Sequence, residues 1–253
     1  MILNVFAFVF GAAIGSFLNV CIFRIPAKES IIKPPSQCPY CHHPIRFYDN
    51  IPIISFLILR ARCRDCAAKI SWRYPLVELI TALLALLLFL KFGLTLNFLV
   101  FFIFTAILIV ISFIDLDHQI IPDVLSLPGI PIFFLAAIFI VKIPWHEAVI
   151  GLLIGGGMLF LIAFIYQFIT KREGMGGGDI KLLAMIGGFL GWKSLIFILL
   201  FSSFAGALVG LALMIIKKTD MKYAVPFGPF LSAAAVAFIF WGDAFMRFLL
   251  LGY

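Results

Sequence analysis

The run FLVFFIFTAILIVISFI, residues 98–114, has seventeen consecutive residues without a charge. A bilayer accommodates such a run. Its hydrocarbon core is about 30 Å thick, and about 20 apolar residues in a helix cross it. In lipid, each backbone N–H and C=O must find a partner inside the protein, so the run is expected to be helical. Similar apolar stretches predict helices near 2–24, 75–92, 96–114, 124–142, 147–169, 181–192, 194–216 and 226–250. The chain is 64% apolar and 12% charged, with a mean hydropathy of +1.18. Soluble domains sit near ~45–50% and ~25%. The expected fold class is therefore an all-α polytopic membrane protein with about eight transmembrane helices. The sixth helix is short: Lys181 to Trp192 rises only about 18 Å, a partial span or a piece that bends into the next helix. The first apolar run lacks the basic start of a signal peptide, so it is read as a retained membrane helix.

One long polar insertion interrupts the pattern, at 25–74, between the first and second helices. It divides the chain into a first transmembrane helix (1–24), a small soluble domain (25–74) and a transmembrane core (75–253). Basic residues set the expected orientation. Arg24, Lys28, Lys33, Arg46, Arg60, Arg62, Arg64, Lys69 and Arg73 fall on one side, with Lys171, Arg172, Lys181, Lys217, Lys218 and Lys222. Only Lys91, Lys142, Lys193 and Arg247 fall on the other. Fifteen against four places the insertion in the cytosol and both termini outside. The net charge of +7 then needs no nucleic acid partner; a basic face of this kind suits anionic lipid headgroups. The small-residue spacings GAAIG (11–15), GLLIG (151–155), GGFLG (ending at Gly191) and GALVG (206–210) are expected to mark close helix packing. No internal repeat of 20–50 residues is evident.

Four of the five cysteines lie in the insertion, as CPYC (Cys38, Cys41) and CRDC (Cys63, Cys66). Two C-x-x-C pairs at this spacing suit one tetrahedral Zn2+. Four thiolates leave no open position, so the metal would be structural, and its binding energy would hold together a segment with little apolar content. Disulfides and a redox pair are the alternatives. A cytosolic location disfavours the first, and the lack of a βαβ pattern the second. His42 or His43 is an alternative ligand, although exposed histidines are the plainer expectation. Cys21, alone in the first helix, reads as a packing residue.

Two acidic sites stand beside apolar runs. FIDLDHQIIPD carries Asp115, Asp117 and Asp123, and GMGGGD ends at Asp179. With the orientation above, Asp115 and Asp179 share the cytosolic membrane face and a depth. Two close carboxylates share a proton near neutral pH. Such a pair hydrolyses a peptide bond without a metal: the ionised member takes a proton from water and the protonated one polarises the carbonyl. The glycines before Asp179 leave room for a substrate backbone. The plainer alternative is a flexible turn with Asp179 as N-cap of the sixth helix. Asp117 and Asp123 are expected to face water, with Asp123 as N-cap of the fourth helix.

These residues resemble the bacterial type IV prepilin peptidases, the leader peptidase/N-methyltransferase family. The resemblance covers nearly the whole chain: GSFLNVCIFRIP (15–26), the two cysteine pairs, YDNIPIISFLILRARCRDC (48–66), ISWRYPLVELITA (70–82), FIDLDHQIIPD (113–123) and GMGGGDIKLLAMIGGFLG (174–191). The last contains a G-x-G-D signature, at Gly176, Gly177, Gly178 and Asp179. The resemblance implies an inner-membrane aspartic peptidase with Asp115 and Asp179 as its catalytic pair. Its substrates would be prepilins of type IV pili or pseudopilins of type II secretion, cut after a glycine on the cytosolic side. It also implies N-methylation of the new N-terminus with S-adenosylmethionine. The family often has glycine two residues before the third cysteine, where this chain has Ala61.

Other polar residues have local readings. Glu78 suits a helix N-terminus, or a contact to a cofactor or substrate amine. Ser16 and Asn19 are placed to hydrogen-bond between helices, and Asp49, Asn50 and Ser55 to organise the loop near the metal. Two rival functions share these features: a presenilin-like G-x-G-D protease cutting inside transmembrane helices, and an aspartate-dependent ion transporter.

Overall fold

A computed structural model describes residues 2–171, 176–217 and 225–251. Gly174 and Met175 of the glycine-rich stretch, and Arg172, Lys218 and Lys222 of the orientation set, lie outside the described residues. The chain forms two compact units, divided between Val110 and Ile111. Among the described residues, seven helices are long and apolar enough to cross a membrane. Among the described residues, sheet-like pairing is confined to two isolated bridges.

The first unit contains α1 (Ile2–Arg24), a short α2 (Ile54–Ile58), α3 (Arg73–Phe92) and the first part of α4 (Leu96–His118). α1 packs on α3 through its small residues. A methyl placed on Gly11 would lie 2.5 Å from Ala85 Cβ, and one on Gly15 would lie 2.7 Å from Glu78 Cα. The GAAIG spacing therefore does what was expected of it. Asn19 bridges the same two helices, with Nδ2 donating to Tyr74 O at 3.1 Å. α3 stops at Gly93, which adopts φ +65°. The chain then returns as α4, whose Phe98 meets Phe89 edge-on, Phe101 stacks on Phe92 and Phe102 lies tilted against Phe10.

The second unit contains the end of α4, then α5 (Asp123–Ala136), α6 (Trp145–Thr170), α7 (Gly177–Leu190), α8 (Trp192–Lys217) and α9 (Gly228–Leu251). α5 carries Pro128 and Pro131 and passes into a π-helical turn, Ala137–Val141. Each proline removes a backbone donor, and irregularity of this kind is tolerated where neighbouring helices cover it. α7 is only 14 residues long, yet every residue from Leu182 to Phe189 is buried. Its apolar residues run all round, as in a helix enclosed by others. Gly151 and Gly155 of α6 meet the backbone of Gly187 and Leu183 in α7. Phe133 of α5 meets Phe189, and Met185 lies against Gly129. In contrast, Gly206 and Gly210 of the GALVG stretch make no close helix contact: a methyl on Gly206 would reach only Phe230, at 3.7 Å, and one on Gly210 nothing within 4 Å.

All eight expected helices are present. The short sixth one is α7, which begins earlier than hydropathy suggested, at Gly177, because the glycines and Asp179 join its first turn. α2 was not expected. The pairing of Gly151 with Gly187 and of Gly155 with Leu183 is antiparallel, four residues forward for four back. That register sets Asp179 level with about Leu159 of α6, roughly 17 Å short of the end of α6 at Thr170.

Candidate active site and metal centre

The four cysteines of the insertion converge. Their Sγ atoms all lie within 4.8 Å of one another, and those of Cys38 and Cys66 are 3.8 Å apart. A tetrahedral zinc with Zn–S bonds of about 2.3 Å separates its sulfurs by about 3.8 Å, so the donor set fits that ion. Local backbone structure presents the thiols in two matching loops. In the first, Cys38 N–H donates to His43 O and His42 N–H to Cys38 O, at 3.0 and 2.9 Å. In the second, Cys63 N–H donates to Ala68 O and Ala67 N–H to Cys63 O, at 2.8 and 3.0 Å. His42 and Ala67 both take φ +56°, and each loop closes on an antiparallel bridge, Gln37 to Pro44 and Arg62 to Lys69. Residues 37–44 and 62–69 are thus a structural repeat that the sequence reading missed, since little beyond the cysteines is shared. Burial opposes ionisation of Cys38, but the N–H groups of Cys41 and Tyr40, together with the thiols of Cys41 and Cys63, bring it down to about 7. His42 and His43 are exposed and stand outside the four-sulfur cluster.

The loop between the cysteine pairs is tied down as expected. Arg64 grips Asp49 with two hydrogen bonds, at 2.6 and 2.8 Å. Ser55 Oγ accepts from Ile51 N–H and donates to Tyr48 O. Glu78 is not at a free helix end. It is buried, and its Oε2 accepts from Ile53 N–H at 2.7 Å. Ile53 has φ +63° and ψ −50°, and Ile54 N–H donates back to Pro52 O. This is a γ-turn, a strained shape for a β-branched residue. Glu78 holds it in place from α3. Ala61 also occupies left-handed backbone, at φ +58°, a conformation that favours glycine.

The two aspartates both lie in the second unit, near enough for the charge of Asp115 to act on Asp179. Asp115 lies within the last turn of α4, which runs on to His118, and is 5% exposed. Asp179 is not an N-cap: Gly176 takes that place, and Asp179 is the third residue of α7, its N–H donating to Gly176 O. A carboxylate in a first helical turn is favoured by the helix dipole. Burial first, and the charge of neighbouring Asp115 second, push Asp179 from its ordinary 3.8 up to about 6. The N-cap role expected for Asp123 also fails. Pro122 caps α5, and Asp123, its first residue, accepts a 2.6 Å bond from Lys181 Nζ. This ion pair ties α7, two residues after Asp179, to the start of α5. Asp117 is exposed, as expected.

Sequence reasoning missed two contributors. Gly228 N–H donates to Asp115 Oδ2 at 3.0 Å, and Ile121 packs against Gly178. Nothing in the one-dimensional pattern links residue 228 to residue 115.

A cavity of about 250 Å³ in the first unit is lined by residues that include Ser16, Arg24, Ser36 and Asn50. Arg24 is its only charged lining residue, and the guanidinium donates to Ser30 O and Pro34 O.

Comparison with known proteins covers both units. Residues 9–92 match the bacterial peptidase A24 N-terminal domain, and residues 102–211 match the type IV leader peptidase family. The chain is 39% identical over 270 residues to a prepilin leader peptidase/N-methyltransferase of Aeromonas hydrophila, covering 96% of this chain and 92% of that protein. Proteins of the same name from Pseudomonas putida and Pseudomonas aeruginosa are 38% and 36% identical, each over 94% of this chain and 90% of their own length. No solved structure matches. With relatives this similar over nearly their whole length, the chain belongs to the type IV leader peptidase family.

Proposed function

We propose that this membrane protein is a prepilin peptidase: an aspartic endopeptidase that removes the leader of type IV prepilins or type II secretion pseudopilins, and then N-methylates the new N-terminus. The observation that carries the peptidase reading is the nearness of Asp115 and Asp179, far apart in sequence: Gly228, which bonds Asp115, and Gly178, which precedes Asp179, both lie against Ile121. With one proton between them, the ionised carboxylate removes a proton from water as the water attacks the scissile carbonyl. The protonated carboxyl donates to the carbonyl oxygen, and a proton then passes to the leaving amine. The glycines at 176–178 leave the approach to Asp179 narrow in side chains, which suits an extended substrate backbone.

Residues 25–74 act as a cytosolic zinc domain, with Cys38, Cys41, Cys63 and Cys66 as ligands. The ion supplies a cross-link and no chemistry, because four sulfurs fill its coordination. The positive-inside bias supports an inner-membrane protein with both termini outside and both sites towards the cytosol. Methyl transfer from S-adenosylmethionine rests on the named relatives, and no residue here is assigned to that cofactor. Ala61 keeps the left-handed backbone that glycine would adopt, so this departure does not by itself remove the activity.

The deciding test uses the purified full chain and a synthetic prepilin peptide. Asp115→Asn and Asp179→Asn are each expected to abolish cleavage. Retained cleavage by either variant overturns the assignment of the pair. Mass spectrometry of the product separates this reading from a presenilin-like one, which requires a cut deep in the apolar segment.

A further inference from the structure

α9 starts at Gly228, so the N–H of Gly228 has no acceptor within its own helix. It donates instead to Asp115 Oδ2, at 3.0 Å, with both residues buried. The space is as specific as the bond. A methyl at position 228 would lie 2.7 Å from Asp115 Oδ2 and 3.3 Å from its Cγ. The same methyl would stand 3.3 Å from Ile121 Cδ1, and a methyl at Gly178 would lie 2.7 Å from Ile121 Cβ. Ile121 therefore separates the start of α9 from the start of α7, the helix that carries Asp179.

We propose that Gly228 is a positioning residue of the peptidase centre: its N–H fixes the Asp115 carboxylate through Oδ2, and its missing side chain is the space that carboxylate occupies. This rests on Asp115 being one of the catalytic pair. The positive end of α9 also favours the ionised carboxylate. With Oδ2 held, proton exchange with water falls to Oδ1. A side chain at 228 displaces the carboxylate rather than the substrate, and a small displacement of a catalytic group has a large effect on rate.

The test is Gly228→Ala in the full chain, beside Gly206→Ala, whose methyl meets only Phe230 at an ordinary 3.7 Å. Gly228→Ala is expected to lower kcat for prepilin cleavage at least thirtyfold, with KM within twofold of wild type and an unchanged unfolding midpoint. Gly206→Ala is expected to cleave normally. Cleavage by Gly228→Ala within threefold of wild type, or a rise in KM alone, overturns the proposal. If Asp115→Asn is inactive while Gly228→Ala is normal, only this inference fails; if Asp115→Asn cleaves, the reading beneath it fails too. Should Gly228→Ala not fold, hydrogen exchange on the wild-type chain decides. The Gly228 amide is expected to exchange at least tenfold more slowly than in Asp115→Ala, and equal rates overturn the bond.

Discussion

The cysteine cluster and the aspartate pair are built in opposite ways. The cluster comes from 29 consecutive residues, 38–66, whose two loops repeat the same hydrogen bonds around identical donors. The aspartate pair draws on α4, α7 and α9, with contributions at residues 115, 121, 178, 179 and 228. A metal ion imposes its own geometry on flexible ligands, so short-range spacing suffices. Two carboxylates repel when ionised, so packed helices must hold them in place. The first site is expected to fall apart when one atom leaves; the second fails chemically while its scaffold persists.

The largest separation of the two comes from zinc. The purified chain should carry about one zinc per molecule. Stripping it, or Cys63→Ser, should collapse hydrogen-exchange protection across 37–69 and leave that of α5 to α9 unchanged, because structural zinc supplies folding energy outright. Full protection without metal would break the contrast.

The aspartate pair is tested by pH. Asp179 has a folded value of about 6, above its ordinary 3.8. Its proton favours the fold, so the full benefit holds below about 4 and is lost as pH rises through about 6. Asp179→Asn lacks this loss. Its melting midpoint should match wild type near pH 4 and exceed it at pH 8; a pH-independent difference would contradict the raised value. The same proton serves catalysis, so wild-type kcat/KM should fall as pH rises through the upper apparent value of the pair, at or above about 6.

Smaller effects belong to the backbone of the first unit. Glu78→Ala leaves the Ile53 N–H of the γ-turn without its acceptor, at a cost of about 1–3 kcal/mol. Glu78→Gln keeps an acceptor and should recover most of the lost midpoint. Equal losses would show that the charge, and not the bond to Ile53, matters. Ala61→Gly should raise stability by up to about 1 kcal/mol by relieving left-handed alanine, partly offset by the freedom glycine gains when unfolded. Thermal unfolding in detergent measures both.

The membrane spans were legible because hydropathy is a local property, and the search for a bilayer partner needs no tertiary information. The four-cysteine cluster was legible because C-x-x-C spacing places two thiols on one turn. Asp115 and Asp179 were brought to one face by counting basic residues and helices, which fixes a side but no distance. Three local readings failed where packing intervened. Asp123 was expected as a cap, and Asp179 was given that role as an alternative, but Pro122 and Gly176 take those places, and Asp123 pairs with Lys181. Glu78 read as a helix-end charge and instead props a strained turn 25 residues away. The repeated cysteine loops were hidden because their shared feature is backbone conformation at His42 and Ala67, two unlike residues.

By itself, then, the sequence determined a helical membrane protein with a four-cysteine cluster able to hold a metal and two candidate catalytic aspartates. Tertiary structure alone decided that Asp179 sits about 17 Å short of the end of α6, and that a backbone N–H from α9 holds Asp115. The physical reason is range. Hydrophobicity and ligand spacing act within a few residues, whereas the depth and partners of a carboxylate depend on helix register and on where a missing side chain leaves room.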